Sequence, residues 1–438
     1  MAKKINSVLG IDIGSQRIKV CEVRTQGKEP VITALGMIDT PEGAVDHTGV
    51  YNSDAVGQAL KQVLSSSGAT VGTAVVSIAG QMSVLVRTLE VPKMNPTELK
   101  EHMQWEINRN IPFAESTIVS DFKPLGGDDP QSPNMDVVMA IAPQSAIDTM
   151  IACVKKAGRS VAAIDVEPLS MARSIQTSYE DELNDKTICM VDVGHMTSSI
   201  NIYHGQKLLM PRQVPLGGEM FTRAIADAFT VPLSEAEQMK RDRLEIPESA
   251  GSAPVIADPF GLSPLTEDFA PYSPFEAADP GAGPAPMQDF NATTDFTAAP
   301  EPFPTPDLGA LTGESTDMSG GFMPPADTTP APMDNSEDAR LYNSIAAVLE
   351  ELVSEIRRSI EYYRSRGGEV HMVEICGGGA KIRGLGGYLQ RSLGITCDTY
   401  DPTRRLNINA RKVPPAFVEE HREEFAVAIG NGLHIFFD

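Results

Sequence analysis

The sequence predicts an α/β protein of two similar lobes, with a small extra α+β subdomain and a long acidic, proline-rich insertion. Three observations predict it. Two segments about 180 residues apart repeat one hairpin pattern, an apolar strand elsewhere runs into three consecutive glycines, and one stretch of the chain lacks every basic residue.

The repeat carries most of the argument. SVLGIDIGSQRIKVCEV (Ser7 to Val23) and TICMVDVGHMTSSINIY (Thr187 to Tyr203) each hold an apolar strand ending in Asp-x-Gly, a polar turn and an alternating strand. Each is followed by a third strand and a helix: residues 31–38 and 54–66 after the first, 207–213 and 217–229 after the second. A unit of this kind occurring twice reads as a duplication. Between the copies, strands at 73–78 and 83–91, a helix at 96–110 with Leu99, Met103 and Ile107 on one face, and strands at 118–124 and 135–141 read as the extra subdomain, about 73–143. A helix at 144–157 and a strand at 161–166 close the first lobe near residue 165, and the second lobe follows as 166–243 and 338–400. In it a long helix at 339–366, a strand at 370–376 and a helix at 383–393 are expected, and residues 401–438 return to the first lobe. Trp105 is expected to anchor the extra subdomain's helix.

The insertion is set at 244–337. It contains 16 Asp and Glu, no Lys or Arg, and 17 of the chain's 33 prolines. Such a composition buries too little apolar surface to offset ordering entropy, so disorder is expected. It contributes −16 of the net charge of −23 and leaves the remainder only mildly acidic. Phe260, Phe269, Phe275, Phe290, Phe296, Phe303 and Phe322 recur along it. They read either as weak docking motifs or as part of a tolerated loop extension, the latter slightly preferred.

An acidic chain is a poor partner for nucleic acid and for anionic lipid. Five scattered cysteines without a CxxC pair, and seven histidines without a metal-binding spacing, argue against a disulfide framework or a zinc site. No apolar run approaches the length of a membrane span and the N-terminus lacks a signal-peptide pattern; a cytoplasmic protein is expected, and if it works at a membrane something else must hold it there.

Five elements carry the chemistry. A tight turn after each repeated Asp can aim backbone N–H groups at phosphate oxygens without any lysine. Gly14, Ser15 and Gln16 form the first turn, and Gly194, His195, Met196 and Thr197 the second. Asp12 and Asp192 would hold Mg²⁺, usually through its waters; the alternative is a pair of ordinary hairpins. Gly377, Gly378 and Gly379, with Lys381 just beyond, let a flat nucleoside approach the backbone, although neither GxxxxGK[ST] nor GxGxxG is present. At Ile164–Leu169, a strand feeds a helix opened by Pro168; Asp165 or Glu167 could orient the attacking water of phosphoryl transfer, or simply cap the helix. Finally, Gly217 and Gly218 open a helix, with Glu219 as a ribose or adenine contact.

In this order the elements resemble the actin, heat-shock chaperone and hexokinase superfamily: first phosphate, connecting, second phosphate, ribose/adenine and adenosine segments. Within it GIDIGSQRIKVCEV, VPKMNPTELKEHMQWEINRNIPF, VPLGGEMFTRAIADAF with SEAEQMK, EIRRSIEYYRSR and ICGGGAKIRGLGGYLQ resemble the PilM family of type IV pilus assembly, with the FtsA family of cell division next. The resemblance implies an actin-like (ribonuclease H-like) fold, binding of ATP with Mg²⁺, and at most slow hydrolysis. It also implies a groove between the first lobe and the extra subdomain, around residues 75–112, that docks the N-terminal cytoplasmic tail of a PilN-like inner-membrane protein. Contact with pilus motor ATPases and the platform protein, and self-association, are further partners it leaves open, as it does a pilus against a secretion system. FtsA-like chains end in an amphipathic membrane helix, whereas this sequence closes on Phe436, Phe437 and Asp438, which favours PilM. A small-molecule kinase of the superfamily needs a substrate pocket and a catalytic Asp, for which only Asp165 offers itself.

Overall fold

The structure is a computed structural model and describes residues 6–80, 82–114, 117–127, 131–250 and 336–437. The expectations for residues 251–335, including the phenylalanine motifs, lie outside them.

Chain order in the first lobe is β1 (Ser7–Ile13), β2 (Arg17–Gln26), β3 (Glu29–Asp39), α1 (Ser53–Ser67) and β4 (Thr73–Ile78). The extra subdomain follows as β5 (Leu85–Pro92), α2 (Pro96–Arg109), β6 (Ile118–Pro124) and β7 (Asn134–Pro143). After it come α3 (Gln144–Lys156), β8 (Ser160–Val166) and α4 (Glu167–Leu183). The second lobe holds β9 (Thr187–Val193), β10 (Ser198–His204), β11 (Lys207–Met210), β12 (Gln213–Val214), α5 (Gly218–Phe229), α6 (Leu233–Asp242), α7 (Glu337–Ser365), β13 (Met372–Cys376), α8 (Leu385–Leu393) and β14 (Cys397–Thr399). The chain then returns through β15 (Asn407–Ile408), α9 (Pro415–His421) and α10 (Ala426–Gly432).

The first sheet runs β15-β3-β2-β1-β4-β8 and the second β11-β10-β9-β13-β14. Apart from β15 the two orders correspond strand for strand: an antiparallel hairpin, then two parallel neighbours beside its first strand. The duplication is therefore a property of the topology as well as of the sequence.

β4 is an uninterrupted apolar run because it lies between β1 and β8, paired in parallel on both sides and buried on both faces. This moves the start of the extra subdomain from 73 to β5, whose own sheet is β5-β7-β6. α2 begins with a capping box between Asn95 and Glu98 and lays Leu99, Met103 and Ile107 on that sheet. Trp105 faces the opposite way: it is 55% exposed, with the Arg109 guanidinium 4.6 Å from its ring centre. One heavy aromatic does not outweigh a continuous apolar stripe on the other face of the same helix.

The boundary expected at Leu244 also moves. Leu244 and Ile246 are buried in the second lobe's core, Ile246 N donates to Arg383 O at 2.9 Å, and Arg391 Nε donates to Ala250 O at 2.7 Å. Acidic and proline-rich neighbours hid two apolar anchors. At the other end Ser336 caps α7, and Arg243 at the end of α6 pairs with Glu337 and Asp338.

A third apolar cluster joins the lobes. Met171, Ile175 and Tyr179 of α4 meet Ile188, Met190 and Tyr203 of the second sheet, with Ala426 and Val427 of α10. α4 and α10 approach so closely that a Cβ on Gly430 would stand 1.9 Å from Ser170 O. Asn431, fully buried, donates to Ile11 O (2.8 Å) and accepts from Ser170 Oγ, tying β1 to α4 directly behind the cleft between the lobes.

Candidate functional site

Both repeated hairpins end at the cleft. Their antiparallel registers put Asp12 opposite Lys19 and Asp192 opposite Ser199, while the parallel pairing of β13 with β9 sets Cys376 beside Asp192. The first turn is closed by Gly14 N donating to Arg17 O (3.0 Å) and by Thr40 Oγ1 donating to Gly14 O (2.7 Å). The second rests on α5: Gly218 N donates to Gly194 O and Glu219 N to His195 O, each at 2.8 Å. Gly377 leaves β13 at φ +82°, and a Cβ there would stand 2.1 Å from Asp192 Oδ1, so only glycine brings this backbone against the second Asp.

One cleft is lined by Asp12, Gly14, Ser15, Gln16, Glu167, Asp192, Gly194, His195, Thr197, Gly377 and Gly378. These residues come from three regions far apart along the chain. Arg17, Lys19, Asp46, His47, Ser199 and Glu424 also line it.

Charge in the cleft is concentrated and half-buried. Lys19 Nζ stands 2.6 Å from Asp12 Oδ2. Burial opposes the lysine's charge, but Asp12 and Asp192 outweigh it and hold Lys19 above its ordinary range. Burial, with repulsion from Asp12 and Glu424, pushes Asp192 up to about 6 against the attraction of Lys19. Glu167 is pushed up to about 8, by burial first and then by Asp192 and Asp12. Its Oε1 is buried without a hydrogen-bond partner, and its backbone is fixed where Tyr203 Oη donates to Pro168 O at 2.9 Å. Ser199 hydrogen-bonds this carboxyl, and the remaining oxygen, at the meeting point of two acidic turns, is open to a ligand atom or a water.

A second cavity lies between the first lobe and the extra subdomain. Tyr51, Met82, Phe113, Ala114, Pro143 and Met150 line it, and the first two are 67% and 62% exposed.

The family model described as type IV pilus assembly protein PilM matches residues 10–262, more than half of the sequence. The chain belongs to the PilM family. A model for cell division protein FtsA matches residues 189–430, consistent with the kinship of the two families. Among curated relatives, the FtsA of Pseudomonas aeruginosa is 25% identical over 279 residues, covering 58% of this chain and 64% of that one. The FtsA of Neisseria meningitidis serogroup B is 23% identical over 252 residues, covering 52% and 59%. The matches thus span less than two thirds of either relative. A solved PilM-PilN type IV pilus biogenesis complex contains a chain that is 24% identical, with a TM-score of 0.71 and full coverage of both chains. The fold is accordingly actin-like.

Several expected site residues of this PilM-family chain sit elsewhere. Asp165 forms an ion pair of 2.5 Å with Arg173 of α4 and takes no part in the lining, so its carboxylate serves the packing of α4 on β8. Gly217 and Gly218 lie beneath the second turn, where a Cβ on Gly217 would stand 2.4 Å from His195 O. Glu219 pairs with Arg223 at 2.7 Å. Gly379 packs on Val193, and Lys381 reaches Glu424 (3.2 Å) and His421 (3.1 Å).

Lys19, beside Asp12 in the cleft, is a site residue that the sequence reading did not name. Its signal was present: in a two-stranded hairpin with a short turn, the residue opposite Asp12 is dictated by the register. Glu424 had no such signal, because only the folded chain brings residue 424 to residue 17.

Proposed function

We propose that this chain is an ATP-binding scaffold of a type IV pilus, or related secretion, assembly complex at the inner membrane. The observation that carries the reading is the convergence of the Asp12 turn, the Asp192 turn, the 377–378 glycines and Glu167 on one cleft. Turn N–H groups and Lys19 would hold the phosphates, and the glycine run would face the nucleoside.

The residues fit a magnesium ion: two half-buried carboxylates, one per lobe, with the unpartnered Glu167 Oε1 lining the same cleft. Mg²⁺ is typically held by one or two carboxylates plus phosphates and waters, where it neutralises phosphate charge. Asp12 and Asp192 would hold it. Glu167 would orient a water. Slow hydrolysis at most would suit a scaffold role.

The apolar cavity beside Met82 suits a short extended or helical peptide, and we assign it to the cytoplasmic tail of a PilN-like membrane protein. Among the described residues no helix is long and apolar enough to cross a membrane, so such a tail would supply the attachment.

Titration of a fluorescent ATP analogue, with Mg²⁺ and without, tests the cleft. Saturable, Mg²⁺-enhanced binding is expected, and no binding at millimolar nucleotide would sink the reading. A fluorescent tail peptide whose affinity is unchanged by Met82→Glu would remove the peptide assignment while leaving the nucleotide reading in place.

A further inference from the structure

The returning C-terminal segment meets both lobes through one carboxylate. Glu424, with its side chain 6% exposed, accepts from Arg17 Nη1 at 3.2 Å on both oxygens, from His421 Nδ1 at 2.9 Å and from Lys381 Nζ at 3.2 Å. Arg17 lies on β2 of the first lobe, and Lys381 follows the glycine run of the second. Next to it Gly377 N donates to Glu423 O at 2.9 Å. Burial disfavours the Glu424 charge, but Arg17, His421, Lys19 and Lys381 outweigh burial and hold it below the usual carboxylate range.

The cluster has a clear consequence for the lobes. Cations from different lobes share one buried anion, and Lys19 stands close enough to add a third positive charge. Without the carboxylate, Arg17 would keep its 3.8 Å ion pair with the exposed Asp39, and Arg17 and Lys381 would repel. Phe425, immediately after, is buried against Cys21, Val23 and Ile32, so the carboxylate is held on the first lobe and reaches out to the second. Lys381 does not line the cleft, whereas Gly377 and Gly378, three and four residues earlier, do.

We propose that Glu424 is a clamp between the lobes. It is a positioning residue that keeps the glycine run against the first hairpin and thereby sets how long a nucleotide stays bound. The proposal rests on the nucleotide reading of the cleft. Its effect is on dissociation, because the clamp acts on the closed arrangement and leaves the phosphate-binding turns in place.

The test uses the full chain and a fluorescent ATP analogue in stopped flow. Glu424→Gln should raise the dissociation rate about tenfold, equivalent to about 1.4 kcal/mol, and change the association rate by less than about threefold. Hydrogen exchange of amides 377–381 in nucleotide-free protein should rise in the same variant. If Glu424→Gln fails to fold, Lys381→Met removes only the second-lobe partner and should give the same kinetic split. Unchanged dissociation together with unchanged exchange in a folded variant overturns the clamp. Should the wild-type chain bind no nucleotide, the ATP reading falls, and the exchange measurement alone decides for or against Glu424.

Discussion

Asp12 and Lys19 face each other across the first hairpin with 2.6 Å between carboxylate and ammonium, whereas the equivalent pair in the second hairpin is Asp192 and Ser199. The duplicated turns are alike in backbone and unlike in charge. Only the first brings its own cation, so the first lobe supplies the neutralising charge for both aspartates.

Replacing that cation should show in two measurements. Lys19→Met leaves Asp12 and Asp192 uncompensated in a buried site, and urea denaturation of the nucleotide-free chain should register a loss of about 3 kcal/mol. Nucleotide affinity should fall by about tenfold or more through the lost phosphate contact. A variant of wild-type stability would show that solvent reaches the pair and screens it.

Asp12→Ala and Asp192→Ala should each weaken binding of an ATP analogue by about tenfold in Mg²⁺, roughly 1.4 kcal/mol. Adding EDTA should shrink the difference from wild type. Equal affinities with and without the metal, in both variants, would remove these residues from the proposed metal site.

Glu374 on β13 gives a test of pH dependence away from the cleft. It is buried, its Oε2 has no hydrogen-bond partner, and burial followed by repulsion from Asp398 pushes it up to about 7 from an ordinary 4.5. Its raised folded value means the fold favours the neutral acid. The contribution is full below about pH 4.5 and is lost as pH rises through 7. Glu374→Gln, which stays neutral, should match wild type in acid and exceed it by roughly 2–3 kcal/mol above pH 7. Melting curves of both proteins from pH 4 to 8 check the sign.

The boundaries of the insertion are testable by deletion. Replacing residues 251–335 with a ten-residue Gly/Ser linker should leave the melting temperature within about 2 °C, since the closure entropy of a connection varies only slowly with its length. Extending the deletion back to Leu244 removes Leu244 and Ile246 from the core and should cost about 3–6 kcal/mol. Equal stability of the two deletions would mean that this anchor contributes nothing.

Local pattern made much of the fold legible. Alternation in residues 7–23 and 187–203 marked two hairpins, the glycines after β13 marked a close approach, and the stripe on α2 marked its buried face. Patterns of this kind arise because strands and helices repeat every 2 and 3.6 residues, so neighbours in sequence report which face is covered. Trp105 and Leu244 show the limit. Each was judged by its own type or by its neighbours' composition, while its burial depended on what the rest of the chain placed beside it.

The sequence by itself determined the two-lobe duplication, the aspartates and glycines of the cleft, and the family. Tertiary structure alone decided which carboxylate enters the cleft and which is taken up by packing. Asp165 and Glu167 are two residues apart with the same chemistry, and Arg173 engages one while the other lines the cleft with one oxygen unpartnered. Only folding brought Glu424 between Arg17 and Lys381. Electrostatic partnerships act through space over a few ångströms, and no periodicity along the chain records which distant residue will arrive there.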